Sequence, residues 1–249
     1  MARLKEYNGR YCESEYEYAF IGFLEAEGWK YSSGNNISRV TKRDVLIADD
    51  FKKFIADTNP DLTEDEVIQI YDNVRLVGAE SDFATLHKVY GWMVNGVQFT
   101  TQDGLPRMIP LIDFDNWDKN IFRVVNQFTV EYTNNGQKEN RRPDVLLFVN
   151  GMPLCVIELK NPADANATIY DAWEQINIRY WRDIPHLLHY CPLACISDGV
   201  KTRLGTVRTP YEHFYAWRRV NEGDAVSTLP FAETETMIKG RVDTASPSF

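Results

Sequence analysis

Two short apolar runs near the middle of the chain limit its fold more than any other feature. They cover residues 145–149 and 154–157, and the turn-forming pair Asn150-Gly151 lies between them. Each run has the length of one strand and does not alternate with polar residues, which indicates strands buried on both faces of a sheet. An Asn-Gly pair favours a tight hairpin. The sequence therefore predicts a β-hairpin at the centre of a sheet.

Charged residues stand at the ends of these two runs. Asp144 comes directly before the first run, and Glu158 and Lys160 end the second. Glu158 and Lys160 are two residues apart, so in a strand their side chains point to the same face. One interpretation is that they only pair with each other at a sheet edge. The addition of Asp144 favours a second interpretation, a site for metal-dependent phosphodiester hydrolysis.

The chemistry of that second interpretation is specific. Two carboxylates bind Mg²⁺ through hard oxygen ligands and leave coordination positions for water and phosphate. The metal polarises the phosphate and lowers the pKa of its bound water. A lysine beside the carboxylates can orient the attacking water and offset the charge that develops in the transition state.

The register of the hairpin decides whether such a site can form. A strict two-residue turn would place Asp144 opposite Ile157, on the other face of the sheet from Glu158. A bulge or a longer turn would instead pair Val149 with Pro153 and bring Asp144 opposite Glu158. We therefore predict a bulge or a longer turn in this hairpin.

The rest of the chain predicts a mixed α/β fold with a central sheet. Apolar residues at helical spacing predict a first helix that stops at Gly28, and Thr63 with Glu66 forms a capping box inside a mostly helical stretch. The final stretch is polar and is expected to be irregular. The predicted elements are a helix over 13–26, helices over 41–95, strands over 97–100, 108–111, 120–132, 192–197 and 201–207, a helix over 164–182, and irregular chain over 222–249.

Composition and charge limit the function and the cellular setting of the chain less strictly than the motif does. The net charge of −9 argues mildly against a nucleic-acid partner, although the basic residues are grouped, as at 141–142 and 179–182. The four cysteines form no CxxC pair, and the first residues lack the apolar stretch of a secretory signal. We therefore expect a reduced, cytoplasmic setting. No apolar run is long enough to span a bilayer. The sequence contains no GxxxxGK[ST] loop, so we expect no ATP hydrolysis by these residues.

Three segments carry a resemblance to a known family. RPDVLLFVNGMPLCVIELKNP, then DAWEQINIRYWRDIPHLLHY, then CISDGVKTRLGT resemble the N-terminal nuclease domain of the restriction (R) subunit of Type I restriction–modification enzymes, a PD-(D/E)xK nuclease. The match is most specific over residues 141–206 and extends more loosely to SEYEYAFIGFLEAEGW near the start.

The resemblance implies a restriction-endonuclease-like α/β fold, with a central mixed sheet flanked by helices and a helical N-terminal elaboration. Residues 1–221 would form the nuclease domain, with a helical insertion or subdomain at about 41–95. Residues 222–249 would form a linker toward an ATP-dependent motor outside this sequence.

The resemblance also implies roles for single residues. Asp144 and Glu158 would bind the metal and would act with Lys160 in catalysis. Glu17 resembles the acidic residue that the family brings to the site from its first helix, with Glu15 as a competitor for that role.

The helix after the lysine carries further candidates. The family has a Gln-x-x-x-Tyr motif there, and the spacing between Gln175 and Tyr180 is one residue longer. The carry-over is therefore direct for Gln175, as a catalytic and DNA-positioning residue, and open for Tyr180. Gln175, Arg179 and Arg182 lie three to four residues apart, so one helix face could follow a phosphate backbone.

The function implied is that of a Mg²⁺-dependent endonuclease acting on double-stranded DNA in the restriction of foreign DNA. Its partners would be the methyltransferase and specificity subunits of the same complex, and ATP would be used only by a separate motor domain. One alternative is a non-catalytic nuclease fold that serves as a scaffold or DNA-docking module. Another is a repair or mobile-element nuclease with the same motif, which explains less of residues 161–206.

Overall fold

The computed structural model describes residues 13–78, 81–161, 168–221, 223–226 and 231–242. The chain folds as a mixed α/β structure with helices flanking a central sheet, as predicted. Two π-helical segments follow α5 and α8 directly. The helices are α1 (Glu13–Ala26), α2 (Ala48–Thr58), α3 (Glu64–Arg75), α4 (Asp82–Asn95), α5 (Ile169–Glu174) with the π-helix Gln175–Tyr180, α6 (Trp181–Asp183), α7 (Pro185–Leu188), and α8 (Ala232–Met237) with the π-helix Ile238–Val242.

Within the described residues the main sheet has seven strands in the order β1-β4-β7-β8-β9-β10-β11. The pairs β1–β4 and β8–β9 are parallel and the other neighbours are antiparallel. Two separate hairpins are formed by β2–β3 and β5–β6. The strands are β1 (Lys30–Ser33), β2 (Val97–Thr100), β3 (Pro106–Ile109), β4 (Phe122–Asn126), β5 (Val130–Asn134), β6 (Gln137–Arg141), β7 (Val145–Val149), β8 (Met152–Leu159), β9 (Leu193–Ser197), β10 (Thr202–Thr206) and β11 (Tyr215–Ala216).

The predicted hairpin forms the centre of this sheet. Every residue of β7 and β8 is buried, because β4 and β9 cover their edges and helices cover the faces: α1 contacts β4 and β8, and α5 contacts β8 and β9. The turn between β7 and β8 is a tight one, with positive φ at both Asn150 (50°) and Gly151 (76°). Val149 therefore pairs with Met152, and the predicted pairing of Val149 with Pro153 is wrong.

The predicted bulge is present, but it lies further along β8. Leu154 is the extra residue, because the pairing with β7 passes from Pro153 directly to Cys155. The one-residue shift persists to the end of the hairpin. In that register Asp144, just beyond the last paired residue of β7, falls opposite Glu158. The bulge therefore supplies the change of face that the site requires.

The first half of the chain follows the prediction closely. Helix α1 has the predicted bounds, and Gly28 ends it with a φ of 91°. The capping box of α3 is present: Thr63 N–H donates to Glu66 Oε2 at 2.8 Å, and Glu66 N–H donates to Thr63 Oγ1 at 3.3 Å. Three helices, α2 to α4, occupy most of residues 41–95.

Other predictions need correction. The single strand predicted over 120–132 is two strands, β4 and β5, because the chain turns at Gln127 with a φ of 56°. The strand predicted over 108–111 lies at Pro106–Ile109. The expectation of irregular chain is wrong for α8 and the π-helix after it, since Met237 and Ile238 are buried and α8 contacts β10. Residues 164–167 of the helix predicted over 164–182 lie outside the described residues.

One edge of the main sheet collects the candidate residues. Asn126 is the last residue of β4, and Ser197 is the last residue of β9. Asp144 directly precedes β7, Glu158 is the second-to-last residue of β8, and Lys160 directly follows β8. We call this end of the strands the carboxylate edge. The turn at Asn150-Gly151 lies at the opposite end of the same strands. None of the described helices combines the length and the apolar character needed to cross a membrane.

Candidate active site

Two carboxyl groups lie side by side at the carboxylate edge. The Glu158 side chain is fully buried at the end of β8, with 0% of the residue exposed. Asp144 accepts a hydrogen bond from the backbone N–H of Leu159 at 2.7 Å, through Oδ2. Strand β8 therefore carries one carboxylate and anchors the other. This arrangement follows from the register set by the bulge.

One carboxylate oxygen of Glu158 accepts a hydrogen bond and the other has no hydrogen-bond partner among the described residues. Oε1 accepts a hydrogen bond from the Tyr180 hydroxyl at 2.5 Å, whereas Oε2 is buried and has no hydrogen-bond partner in the part of the chain that the structure describes. Burial, and then the nearby charge of Asp144, raise the pKa of Glu158 well above its usual value, against the opposing effects of Tyr180 and Lys160. A buried carboxylate oxygen in this state calls for a cation or a proton.

Lys160 is tied to the same network through Gln175. Lys160 Nζ donates to Gln175 Oε1 at 2.8 Å, and Gln175 Nε2 donates to the Tyr180 hydroxyl at 2.9 Å. The Tyr180 hydroxyl in turn donates to Glu158. One continuous chain of hydrogen bonds thus fixes both the lysine and one carboxylate. Such a network restricts the side chains to one arrangement.

The π-helix explains why Gln175 and Tyr180 meet in spite of their spacing. Residues Gln175–Tyr180 form a π-helix, in which residues five apart lie one above the other. A regular α-helix would bring together residues four apart. Tyr180 is 1% exposed, so its side chain is placed to hold Glu158 rather than to contact DNA. The burial of its hydroxyl, and then the charge of Glu158, raise the pKa of Tyr180 well above its usual value.

Glu17 reaches the carboxylate edge from α1, at the end of β4. It is 7% exposed, and its Oε1 accepts a hydrogen bond from Asn126 Nδ2 at 2.6 Å, at the end of β4. Gln127 Nε2 is 3.5 Å from the same oxygen. The competitor Glu15 is partly exposed on the same helix. Among the described residues no three of His, Cys, Asp and Glu gather as a metal-binding group, so Glu17 does not complete a third ligand there.

Asn126 is a site residue that the sequence analysis missed. It lay inside the single strand predicted over 120–132, and its position at the end of β4 follows from the turn at Gln127. The direct bond of Tyr180 to Glu158 was also missed, since a π-helix has no clear signature in a single sequence.

The two arginines assigned to DNA are on the outer side of the helical segment. Arg179 is exposed. Arg182 is 66% exposed along its side chain and pairs with Asp183 at 2.7 Å. Asp183 also pairs with Arg141 at 2.7 Å, and these arginines, Arg182 first, hold the pKa of Asp183 below its usual value. Arg182 and Arg141 thus lie together near the carboxylate edge.

The residues present fit a hard divalent cation. Asp144 and Glu158 supply two carboxylates, and Glu158 Oε2 is the buried oxygen without a hydrogen bond. Two protein carboxylates with the remaining positions filled by water and phosphate are the usual way in which proteins bind Mg²⁺. The site is therefore suited to a cation that also contacts a phosphate.

Comparisons with known proteins show the family of the chain. The family model of the Type I restriction enzyme R protein N terminus matches residues 11–213. The chain is 34% identical over 223 residues to a protein of Methanocaldococcus jannaschii whose name describes it as the MjaIXP endonuclease subunit of a Type I restriction enzyme, covering 86% of this chain and 21% of that protein. It is 30% identical over 243 residues to the Type I restriction enzyme HindI endonuclease subunit of Haemophilus influenzae, covering 92% of this chain and 22% of that protein.

A shorter match, 34% identical over 95 residues, covers 38% of this chain and 9% of the Type I restriction enzyme SauCOLORF180P endonuclease subunit of Staphylococcus aureus. The chain spans about a fifth of the length of the first two relatives. The family match covers most of the chain, including every candidate residue from Glu17 to Arg182. This chain belongs to the family of Type I restriction enzyme R protein N termini.

Proposed function

We propose that this chain is a Mg²⁺-dependent endonuclease domain of the PD-(D/E)xK type that hydrolyses DNA phosphodiesters in the restriction of foreign DNA. The observation that carries the proposal is the pair Asp144 and Glu158. A fully buried, charged carboxylate with one oxygen lacking a hydrogen bond, beside a second carboxylate, is unfavourable unless a cation or a proton is bound there, and a metal ion satisfies both carboxylates at once. The family membership supports the same reaction.

Different residues of the chain would bind the metal, orient the attacking water and position the metal ligands. Asp144 and Glu158 would hold the ion, which when bound supplies a polarised phosphate and a water of lowered pKa. Lys160 stands next to them with its ammonium held by Gln175, where it can orient the attacking water and offset negative charge on the phosphate. Tyr180 holds Glu158 through Oε1, which would leave Oε2 for the ion. Glu17 and Asn126 would support the edge from the side of β4.

Contacts to DNA would come from the arginines around this edge. Arg179 and Arg182 are exposed on the helical segment whose inner side holds Lys160 and Glu158. Phosphate contacts from such side chains fix the position of a duplex without reading its sequence. A local basic surface is needed because the whole chain carries a net charge of −9.

The proposal extends to the larger enzyme. The relatives are named as endonuclease subunits of Type I restriction enzymes, and this chain corresponds to a fifth of their length. We propose that it acts with methyltransferase and specificity subunits, and that ATP is used by a motor domain outside these residues. A reducing, cytoplasmic setting is part of the proposal, supported by three cysteines that are free and buried among the described residues, Cys155, Cys191 and Cys195.

Calorimetric titration of Mn²⁺ or Mg²⁺ tests the proposal. We expect saturable binding to the unaltered chain, and no measurable binding to Asp144→Asn or Glu158→Gln, which keep the size of each side chain. Glu212→Gln, an exposed position, serves as the matched control and should bind as the unaltered chain does. Lys160→Ala should still bind metal, and under conditions where the unaltered chain cuts supercoiled plasmid this variant should not.

Two results of this titration would contradict the proposal. If the unaltered chain binds no metal at millimolar concentration, with or without duplex DNA, the fold would serve as a scaffold or DNA-docking module instead. Binding that ignores both carboxylate substitutions would place the metal elsewhere. Cleavage alone does not decide the question, since a nuclease coupled to a motor need not cut as an isolated chain.

A further inference from the structure

The hairpin β5–β6 rises from the carboxylate edge. It connects the end of β4 at Asn126 to the start of β7 next to Asp144, and these two strands are neighbours in the sheet. The hairpin is not part of the main sheet; its two strands pair only with each other in the part of the chain that the structure describes. It therefore forms a separate two-stranded ribbon beside the carboxylates.

The base of the ribbon is held firmly. Glu131 N–H donates to Lys42 O at 3.0 Å, and the buried Tyr132 donates its hydroxyl to Glu139 at 2.6 Å. Arg141, whose guanidinium lies 5.2 Å from the Tyr132 ring, forms the ion pair with Asp183 at the end of the helical segment. The direction of the ribbon is thus fixed relative to Lys160 and Glu158.

The far end of the ribbon is polar throughout. Residues 133–138 are all exposed, and no large apolar side chain among them is available to pack against another protein. Their sequence, Thr-Asn-Asn-Gly-Gln-Lys, is dominated by amide side chains, which both donate and accept hydrogen bonds. The tip itself is Asn135-Gly136, with φ values of 49° and 79°, a rigid two-residue turn.

Exposed cations lie around the ribbon and suit a polyanion, next to the less exposed carboxylates of Glu131 and Glu139. Lys138 and Arg142 are exposed at its far end and base, and the exposed Arg182 lies beside the base through Asp183. These cations stand out in a chain with a net charge of −9. A two-stranded ribbon has the width that the major groove of B-DNA admits, and amide and lysine side chains are the groups that contact base edges and phosphates there.

We propose that the hairpin β5–β6 is a DNA-contacting arm, which enters the major groove next to the phosphate to be cut and holds the duplex against the carboxylate edge. The proposal rests on the proposed nuclease function and adds a second contact surface to the arginines of the helical segment. Gln137 and Lys138 provide contacts from the ribbon to the groove and backbone, while the base ties their position to the catalytic residues.

Fluorescence anisotropy with a labelled duplex of 30 base pairs, in EDTA to prevent cleavage, tests the arm. The double variant Gln137→Ala/Lys138→Ala removes one amide and one ammonium from the ribbon. The matched control is Gln98→Ala/Lys119→Ala, which removes the same two groups from exposed positions: Lys119 comes shortly before the start of β4, at the opposite edge, and Gln98 lies on the β2–β3 hairpin. Melting temperatures check that each variant folds as the unaltered chain does.

We expect the arm variant to bind the duplex about tenfold more weakly, with the slope of log K against log salt concentration reduced by about one for the lost lysine. The control variant should bind within twofold of the unaltered chain. Equal binding by the arm variant, or an equal loss in both double variants, would overturn the arm and leave the nuclease proposal intact. If the unaltered chain itself binds no duplex at low salt, both the arm and the proposed DNA contacts are wrong.

Discussion

Replacing Tyr180 with Phe removes one hydroxyl from the interior of the site and changes little else. That hydroxyl donates to Glu158 Oε1 at 2.5 Å and accepts from Gln175 Nε2 at 2.9 Å. The ring is 1% exposed, so no solvent replaces the lost donor easily. Without it Glu158 is free to turn, and its charged form loses a hydrogen bond that opposes the rise of its pKa. Both effects weaken the binding of a cation by Glu158 and Asp144.

The expected loss follows from the type of contact. A hydrogen bond to a charged group contributes about 1.5–3 kcal/mol, and loss of a residue that supports a metal ligand lowers metal affinity roughly 10- to 100-fold. These ranges agree, because each tenfold change equals about 1.4 kcal/mol. We therefore expect the dissociation constant for Mn²⁺, measured calorimetrically at neutral pH, to rise 10- to 100-fold in Tyr180→Phe.

Tyr132→Phe is the matched control for this measurement. Tyr132 is also buried, at 7% exposure, and its hydroxyl also donates to a glutamate, Glu139, at 2.6 Å, but that pair lies on the β5–β6 hairpin. Its substitution should leave the Mn²⁺ affinity unchanged. An unaltered affinity in Tyr180→Phe, or the same loss in both variants, would refute the idea that Tyr180 positions Glu158.

Three further predictions concern stability, measured by urea unfolding or thermal melting. Gly136→Ala adds a methyl group in open space at a φ of 79° and should lower the free energy of unfolding by about 1 kcal/mol. Gly151→Ala adds a methyl group 2.3 Å from a backbone oxygen and should lower it by about 2–4 kcal/mol. Equal losses in the two variants would refute the close contact at the central turn. Because the pKa of Glu158 is raised in the folded chain, stability without metal should fall as pH rises through that pKa, and Glu158→Gln should melt higher than the unaltered chain at pH 8 but not at pH 4; identical melting curves would contradict this. Burial, helped by Arg43, lowers the pKa of His186 to about 4, so protonation of this one histidine should cost at most about 3 kcal/mol as pH falls from 6.5 to 4. The stability of the unaltered chain relative to His186→Leu should fall by that amount over this range, and a constant difference between the two would contradict it.

The centre of the fold could be predicted because its signals are local and strong. The two unbroken apolar runs around Asn150-Gly151 indicate a doubly buried hairpin, and such strands lie in the middle of a sheet. The need for Asp144 and Glu158 to share a face predicts a bulge, although not its place. The position of Leu154 depends on how β4 and α2 pack around the hairpin, which a single sequence does not show.

The contacts that complete the candidate site depend on long-range packing. Asn126 meets Glu17 across more than a hundred residues, so neither partner predicts the other. The π-helix lets Gln175 and Tyr180 both contact residues at the end of β8. These contacts depend on the folded sheet, so the local sequence does not indicate them. Strand β1 and helix α8 were missed because each is short and half polar, and tertiary contacts rather than local preference decide their structure.

The metal site is tested most directly by soaking a crystal of this chain in millimolar Mn²⁺ and measuring the anomalous scattering of the metal. We predict an anomalous peak for a Mn²⁺ ion bound by Asp144 and by Glu158 Oε2, with Tyr180 still donating to Oε1, and no such peak in crystals of Glu158→Gln. A peak elsewhere in the chain, or none between these two carboxylates, would contradict the claim that they form the metal site of a nuclease.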